Sequence, residues 1–132
     1  MTNKCQQHGA FSWCELLTSD AEAAKRFYGA LFGWQMEEVN LTGMSYTVLK
    51  AGEKPIGGIM TIPPQAEGTA PQWGAYVTVE DVDATAKKAE ELGAQICMPP
   101  TDIPSVGRFC VFRDLQGASI AAISYNFTST CG

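Results

Sequence analysis

The sequence predicts an α+β fold made of two tandem βαβββ modules, and three observations support this prediction. The stretch Gly74–Gly93, GAYVTVEDVDATAKKAEELG, contains an alternating strand followed by a helix whose apolar residues recur every three to four positions. The segment WCELLTSDAEAAKRFYGALFG repeats this order, and an offset of 61 relates its Asp20 to Asp81. Two strand–turn–strand segments, beginning at Met44 and Gly107, are related by an offset of 63. Such a fixed spacing indicates a duplicated unit.

The first module, residues 11–62, can be assigned in chain order. Phe11–Thr18 alternates as a half-buried strand does. Asp20 is placed to cap a helix and Gly33 to end it. The helix is predicted to bury a stripe of small and apolar residues: Ala24, Phe27/Tyr28 and Leu31. Three strands then complete the module: WQMEEV, Met44–Lys50 and Ile56–Ile62.

The second module, residues 73–126, follows a linker at 63–72 that is rich in proline. Its predicted strand Ala75–Val79 precedes a helix that Asp81 or Asp83 can cap and that ends at Gly93. The strand QICMPP is expected to stop at its two prolines, and TDIPSVGR is expected to form a loop. A hairpin closes the module: Phe109–Arg113, the turn DLQG and Ala118–Tyr125. Residues 1–10 and 127–132 are predicted to be flexible termini.

Composition narrows the classes of function. A chain of 132 residues with 45% hydrophobic content can bury one core. Its 9 basic and 14 acidic residues give a net charge of −5, which repels nucleic-acid phosphates and anionic lipids. No apolar run reaches the length of a membrane span, and the first residues lack the hydrophobic core of a signal peptide. We therefore expect neither nucleic-acid nor membrane partners.

The five cysteines are odd in number and form no C-x-x-C pair, which is typical of reduced thiols in a cytoplasm. Apolar neighbours predict that Cys14, Cys97 and Cys110 are small core residues. Cys5 and Cys131 lie in the predicted termini and are expected to have no function.

The two strand–Asp–helix–Gly units and the segment FRDLQGASIAAI resemble the vicinal-oxygen-chelate superfamily, which includes glyoxalase I, extradiol dioxygenases and bleomycin-resistance proteins. The last segment is similar to the closing D-P-x-G-x-x-x-E-L strand of that family. The resemblance extends from Phe11 to Tyr125. It implies that the two modules form a partly open barrel around a cavity. Single-domain members of the family commonly dimerise, and a homodimer would also cover sheet edges.

Metal-dependent members of that family carry four ligands at repeat-related positions, which the resemblance maps onto this chain. The positions are occupied here by Trp13, Gly58, Gly74 and Ala121. None of these side chains can hold a divalent cation, and a site needs at least three protein donors. Shifting the register adds only Glu15 and Ser119, with His8 available from the arm. We therefore expect no metal and no other cofactor.

The same four positions suggest a binding cavity. The Trp13 indole offers a rigid face for a planar or apolar ligand, while Gly58, Gly74 and Ala121 leave room beside it. The alternative is that Trp13 fills the space and makes a packed core.

Two polar residues are the candidates for catalysis in this cavity. Glu15 should point inward with Trp13, and Tyr76, which the offset of 61 matches to Glu15, should meet it from the other module. The pair could act as general base and electrophilic partner. The alternative is a carboxylate exposed at the barrel mouth.

The loop from Asp102 to Arg108 supplies a further pair of opposite charges. A structural ion pair across the loop is one interpretation, and an anion or carbonyl site at Arg108 is the other.

Three functions then remain. They are a metal-free binder of a small, aromatic or carbonyl-bearing molecule, a metal-free lyase or isomerase using Glu15 and Tyr76, and a metal-dependent lyase or dioxygenase, which the ligand positions disfavour.

Overall fold

The structure, a computed structural model, describes residues 6–41, 44–62, 68, 70–103 and 106–126. Two helices and eight strands follow the predicted βαβββ order twice, which confirms the α+β class. The first set is β1 Phe11–Thr18, α1 Ala21–Phe32, β2 Gln35–Leu41, β3 Met44–Ala51 and β4 Lys54–Thr61. The second set is β5 Gln72–Thr78, α2 Val82–Glu91, β6 Gln95–Ile103, β7 Gly107–Arg113 and β8 Ser119–Tyr125.

The chain divides into two compact units. The first unit is residues 13–74, and the second is residues 75–126 with the described part of the N-terminal arm, 6–12. The arm is held to the second unit by backbone hydrogen bonds from Gly9 N–H to Thr78 O and from Thr78 N–H to Ala10 O, at 2.7 and 2.8 Å. Residues 1–5, 127–132 and most of the predicted linker lie outside the described residues.

In the first unit the strand order is β2-β3-β4-β1, with β1 parallel to β4 and the other neighbours antiparallel. The Asp20 carboxylate accepts from Ala23 N–H at 3.0 Å and caps α1, and Gly33 ends the helix at φ 73°. Leu16, Leu49 and Ile59 form the core of this unit. They are buried because α1 lies over them through small residues and Tyr28.

The second unit has the equivalent order β5-β8-β7-β6, with β5 parallel to β8. The Asp81 carboxylate caps α2 by accepting from Ala84 N–H at 3.0 Å. Val79, Val82, Ala86, Cys110 and Ala122 form its core.

The strand registers confirm the duplication at residue level. In the first unit Glu15 lies opposite Gly58, and in the second Tyr76 lies opposite Ala121. The offset of 61 relates Glu15 to Tyr76, and the offset of 63 relates Gly58 to Ala121. The two offsets found in the sequence are therefore those that superpose the two parallel strand pairs. Whether the units together enclose the predicted barrel stays a prediction.

Several predicted boundaries were wrong: β5 begins at Gln72, within the predicted linker, and the segment between β6 and β7 differs most. Strand β6 continues through Pro99 and Pro100 to Ile103, and β7 begins at Gly107, so most of the predicted loop is strand. The prolines lie between Met98 and Thr101, where the pairing with β7 shifts register. Proline is tolerated there because β6 is an edge strand and the bulge needs no ladder N–H at those positions.

Four burial predictions were also wrong. Cys14 and Cys97 are exposed, and only Cys110 is a core thiol among the described cysteines. Cys97 lies on the edge strand β6, and Cys14 lies outside the cluster that α1 covers. On α1, Phe27 and Leu31 are exposed, because the helix packs through Ala21, Ala24 and Tyr28.

No helix among the described residues is both long and apolar enough to cross a membrane.

Candidate functional site

Three hydrogen-bonded side chains lie on one face of the first unit. The Trp13 indole Nε1–H donates to the Tyr46 hydroxyl oxygen at 2.8 Å, and the Tyr46 O–H donates to Glu15 Oε2 at 2.7 Å. Trp13 and Glu15 are two positions apart on β1, so they share the face opposite buried Leu16. Tyr46 is only 9% exposed, whereas Trp13 and Glu15 are half-buried. The contacts fix an indole and a carboxylate beside each other.

Tyr46 occupies the space beside Gly58, one of the four positions that hold metal ligands in the resembled family. A Cβ atom at position 58 would overlap the Tyr46 hydroxyl and ring. A ligand side chain at this position is therefore incompatible with the observed position of Tyr46. The positions that the resemblance assigns to metal ligands hold Trp13, Gly58, Gly74 and Ala121, whose side chains offer no suitable donor. The expected lack of a metal stays a prediction. Within the described part of the chain, no three His, Cys, Asp or Glu side chains come close enough together to hold a metal.

The repeat-equivalent positions of the second unit hold aromatic rings instead. Tyr76 lies beside Phe109, with ring centroids 6.4 Å apart. The offset of 63 relates Tyr46 to Phe109, just as the offset of 61 relates Glu15 to Tyr76. The hydrogen-bonded pair of the first unit thus corresponds to a ring contact in the second.

The predicted catalytic roles of Glu15 and Tyr76 stay predictions. Glu15 and Tyr76 belong to different units, so their meeting in one cavity stays a prediction. Gly74 lies in the first unit, where an added Cβ would meet only the Glu15 carbonyl oxygen, at 4.0 Å. Space for a side chain therefore exists at position 74, in contrast to position 58.

Arg108 forms the predicted ion pair with Asp102, with Nη1 at 2.9 Å from Oδ1. It also donates from Nε and Nη2 to both carboxylate oxygens of Asp83, at 2.9 and 3.0 Å. These hydrogen bonds raise the pKa of Arg108 and lower the pKa of Asp83 from its ordinary value. Arg108 therefore joins the β6–β7 hairpin to the first turn of α2, which supports the structural interpretation; its ligand-binding role stays a prediction.

Sequence reasoning missed two of these partners. Tyr46 could have been found from the offset of 63, which matches it to Phe109 on the strand next to the one that carries Ala121. Asp83 was considered only as an alternative cap for α2. No local pattern indicates its pairing with Arg108, because the two residues are 25 positions apart.

Two cavities among the described residues lie away from the predicted site. One, of about 630 Å³, runs beside α2 and is lined by residues such as His8, Lys88, Leu92 and Phe112. Another, of about 240 Å³, lies at the start of α1. We take the Trp13–Tyr46–Glu15 cluster as the candidate site because fixed polar groups, which orient a ligand, converge there, whereas the α2 groove is mostly apolar.

Comparison with known proteins assigns the family. The model of the Glyoxalase/Bleomycin resistance protein/Dioxygenase superfamily matches residues 10–121. This chain belongs to that superfamily. The resemblance found in the sequence is thereby confirmed.

Curated relatives of this superfamily member are longer proteins. It is 42% identical over 116 residues to the candidate glyoxylase CFP32 of Mycobacterium tuberculosis, covering 87% of this chain and 44% of that protein. It is 31% identical over 115 residues to the anthracycline biosynthesis protein DnrV of Streptomyces peucetius, covering 87% and 41%. The chain thus spans less than half the length of these relatives.

Solved structures agree in fold. A hypothetical protein, BH1468, from Bacillus halodurans superposes with a TM-score of 0.69 at 12% identity, covering 93% of this chain and 99% of that one. Methylmalonyl-CoA epimerase from Mycobacterium tuberculosis gives a TM-score of 0.64 at 14% identity, covering 90% and 89%. At such identities the likeness concerns the fold alone.

Proposed function

We propose that this superfamily member binds a small molecule without a metal, through a surface that includes Trp13, Tyr46 and Glu15. The observation that carries the proposal is the occupation of the space beside Gly58 by Tyr46. The same tyrosine fixes the indole and the carboxylate on either side of it. A site that has exchanged metal ligands for an aromatic face and one hydrogen-bond acceptor is suited to binding rather than chelation.

The ligand class we propose is a planar aromatic molecule that carries a carbonyl or hydroxyl group. The Trp13 ring would stack on the planar body, and Glu15 would accept a hydrogen bond from a ligand hydroxyl. Tyr46 fills the space beside Gly58, so Gly74 and Ala121 are the positions that would leave room, and Arg108 is a further polar candidate. Two relatives are named for the biosynthesis of anthracyclines, which are polycyclic aromatic ketones, and this supports the aromatic class.

A binding assay with 2-(hydroxymethyl)anthraquinone, a neutral aromatic diketone whose hydroxyl can donate to Glu15, tests the proposal. We expect ligand-dependent thermal stabilisation that persists in EDTA, and a loss of affinity of about tenfold or more in Glu15→Gln. Glu53→Gln, an exposed glutamate in the β3–β4 turn, is the matched control. Binding that needs added metal, or that is equal in all three proteins, would contradict the proposal.

A metal-free isomerase is the second candidate function. It is favoured by the Glu15 carboxylate, which the Tyr46 hydroxyl holds in place at 2.7 Å. Glu15 would remove a proton from carbon next to a carbonyl, Tyr76 would stabilise the enolate, and the proton would return to complete the reaction. Incubation of the protein with an aromatic ketone that has a C–H next to its carbonyl, in D2O, followed by proton NMR, would detect exchange of that hydrogen for deuterium. Unchanged exchange in Glu15→Gln would eliminate this candidate.

We also propose that the protein acts in the cytoplasm as a homodimer. The cysteine content and the charge of the chain support this location. The homodimer is supported by the sheet edges that one chain leaves uncovered. Sedimentation at micromolar concentration tests the homodimer, since one chain has a mass of 14.2 kDa.

A further inference from the structure

An exposed aromatic surface covers the outer side of α1. Phe27, Leu31 and Phe32 are 60%, 57% and 56% exposed, and Trp73 is 41% exposed. We call these four residues the α1 aromatic surface. Tyr28 and Trp34 lie beneath it and link the rings, with centroids 4.9 Å apart for Phe27 and Tyr28 and 6.1 Å for Trp34 and Trp73. The aromatic rings therefore pack against one another within a single chain.

The second unit shows that the fold does not require these rings. Adding 61 to the positions of Phe27, Tyr28, Phe32 and Trp34 leads to Lys88, Ala89, Gly93 and Gln95. The second unit forms the same βαβββ arrangement with these small or polar residues. The aromatic residues of α1 are thus an addition to the common module, and their exposure is not a by-product of folding it.

We propose that the α1 aromatic surface is the interface at which a second copy of this chain binds, with α1 packing on the partner's α1. This rests on the homodimer proposed above and names a contact surface for it other than the sheet edges. Contacts between identical surfaces about a two-fold axis are the commonest way for soluble chains to pair. Neither described cavity is lined by the α1 aromatic surface or by the Tyr28 and Trp34 beneath it. The surface therefore suits a flat protein partner better than an enclosed small molecule.

The exposed aromatic area can supply the centre of a dimer interface, although not all of it. Aromatic side chains each provide about 150–250 Å², so the exposed fractions of Phe27, Phe32 and Trp73 correspond to roughly 240–390 Å². That is about a third to a half of the ~800 Å² that each partner contributes to a standard interface. The relatives offer a parallel, since in them the matched segment is joined to further polypeptide of about its own length.

Sedimentation of the full chain and two lysine variants tests the interface. Leu31→Lys places a charge at the middle of the surface without removing a ring. Leu92→Lys is the matched control, because Leu92 is the repeat equivalent on α2 and is 65% exposed. We expect the parent and Leu92→Lys to form dimers of twice 14.2 kDa, and Leu31→Lys to raise the dimer dissociation constant about 10- to 100-fold. Circular dichroism and thermal unfolding would verify that both variants fold.

The outcomes separate this inference from the function proposed above. A monomeric parent at high micromolar concentration would overturn both the homodimer and the α1 interface. A dimer that Leu31→Lys leaves intact, or that both variants weaken equally, would overturn the α1 interface and leave the homodimer, for example through sheet edges. In each case binding of 2-(hydroxymethyl)anthraquinone is measured separately, so the small-molecule site is judged on its own.

Discussion

Replacing Tyr46 with phenylalanine removes one hydroxyl that holds the candidate site together. That hydroxyl accepts from the Trp13 indole at 2.8 Å and donates to the Glu15 carboxylate at 2.7 Å. The ring itself stays, so the packing of a residue that is only 9% exposed is preserved. The change therefore isolates the two hydrogen bonds from the burial of the ring.

The expected loss of stability follows from these two contacts. A neutral hydrogen bond contributes about 0.5–1.5 kcal/mol to the free energy of unfolding, and one to a charged group about 1.5–3 kcal/mol. Tyr46→Phe should therefore lower the free energy of unfolding by roughly 2–4 kcal/mol. For a domain of this size that corresponds to a fall in Tm of roughly 6–20 °C.

Tyr125→Phe provides the matched comparison. Its hydroxyl shares a neutral hydrogen bond with Ser12 Oγ at 2.8 Å, and loss of that bond should cost about 0.5–1.5 kcal/mol. Urea unfolding of the parent and both variants, followed by circular dichroism, measures the difference. If Tyr46→Phe costs no more than Tyr125→Phe, the indole and carboxylate are not held by Tyr46 as argued.

Three further changes have expected outcomes. Gly74→Leu should abolish the ligand-dependent thermal shift at a cost of about 1–3 kcal/mol; unchanged binding by the folded variant would place the site elsewhere. Asp83→Asn should destabilise the protein at pH 7, because hydrogen bonds from Arg108 lower the pKa of Asp83 in the folded state. This contribution is complete above the ordinary pKa of 3.8 and is lost as the pH falls through the lower folded-state pKa, so the parent and the variant should differ less in urea midpoint at pH 3 than at pH 7. Alkylation followed by mass spectrometry should label exposed Cys14 before Cys110, whose burial excludes reagent and raises the thiol pKa; equal labelling would contradict the described core.

Local signals in the sequence predicted most of the fold. Strand Phe11–Thr18 was predicted to the residue, and the carboxylates of Asp20 and Asp81 cap the helices as expected. These features depend on neighbours within four positions, so periodicity and capping chemistry are sufficient to find them. The duplication supplied the rest, because a match at a fixed offset transfers an assignment from one module to the other.

The misses concern contacts between residues distant in sequence. Pro99 and Pro100 remain within a strand because the bulge and the sheet edge make their missing donors harmless, which only the pairing of β6 reveals. The position of Tyr46 over Gly58 depends on how β3 packs beside β4. Phe27 was assigned to the buried stripe because period alone does not say how much of a helix its sheet covers.

The two modules together show how one scaffold changes its chemistry while keeping its fold. Opposite Gly58 and Ala121, the same register positions carry a carboxylate in one unit and a phenol in the other. The residues beside them differ in the same way, since Glu15 accepts a hydrogen bond from the Tyr46 hydroxyl and Tyr76 contacts the Phe109 ring. Small residues opposite the first strand are what permit this exchange, because a side chain at position 58 would displace Tyr46. A metal ligand at position 58 would therefore need coordinated changes at Gly58 and Tyr46, and Gly58→His alone should destabilise the protein.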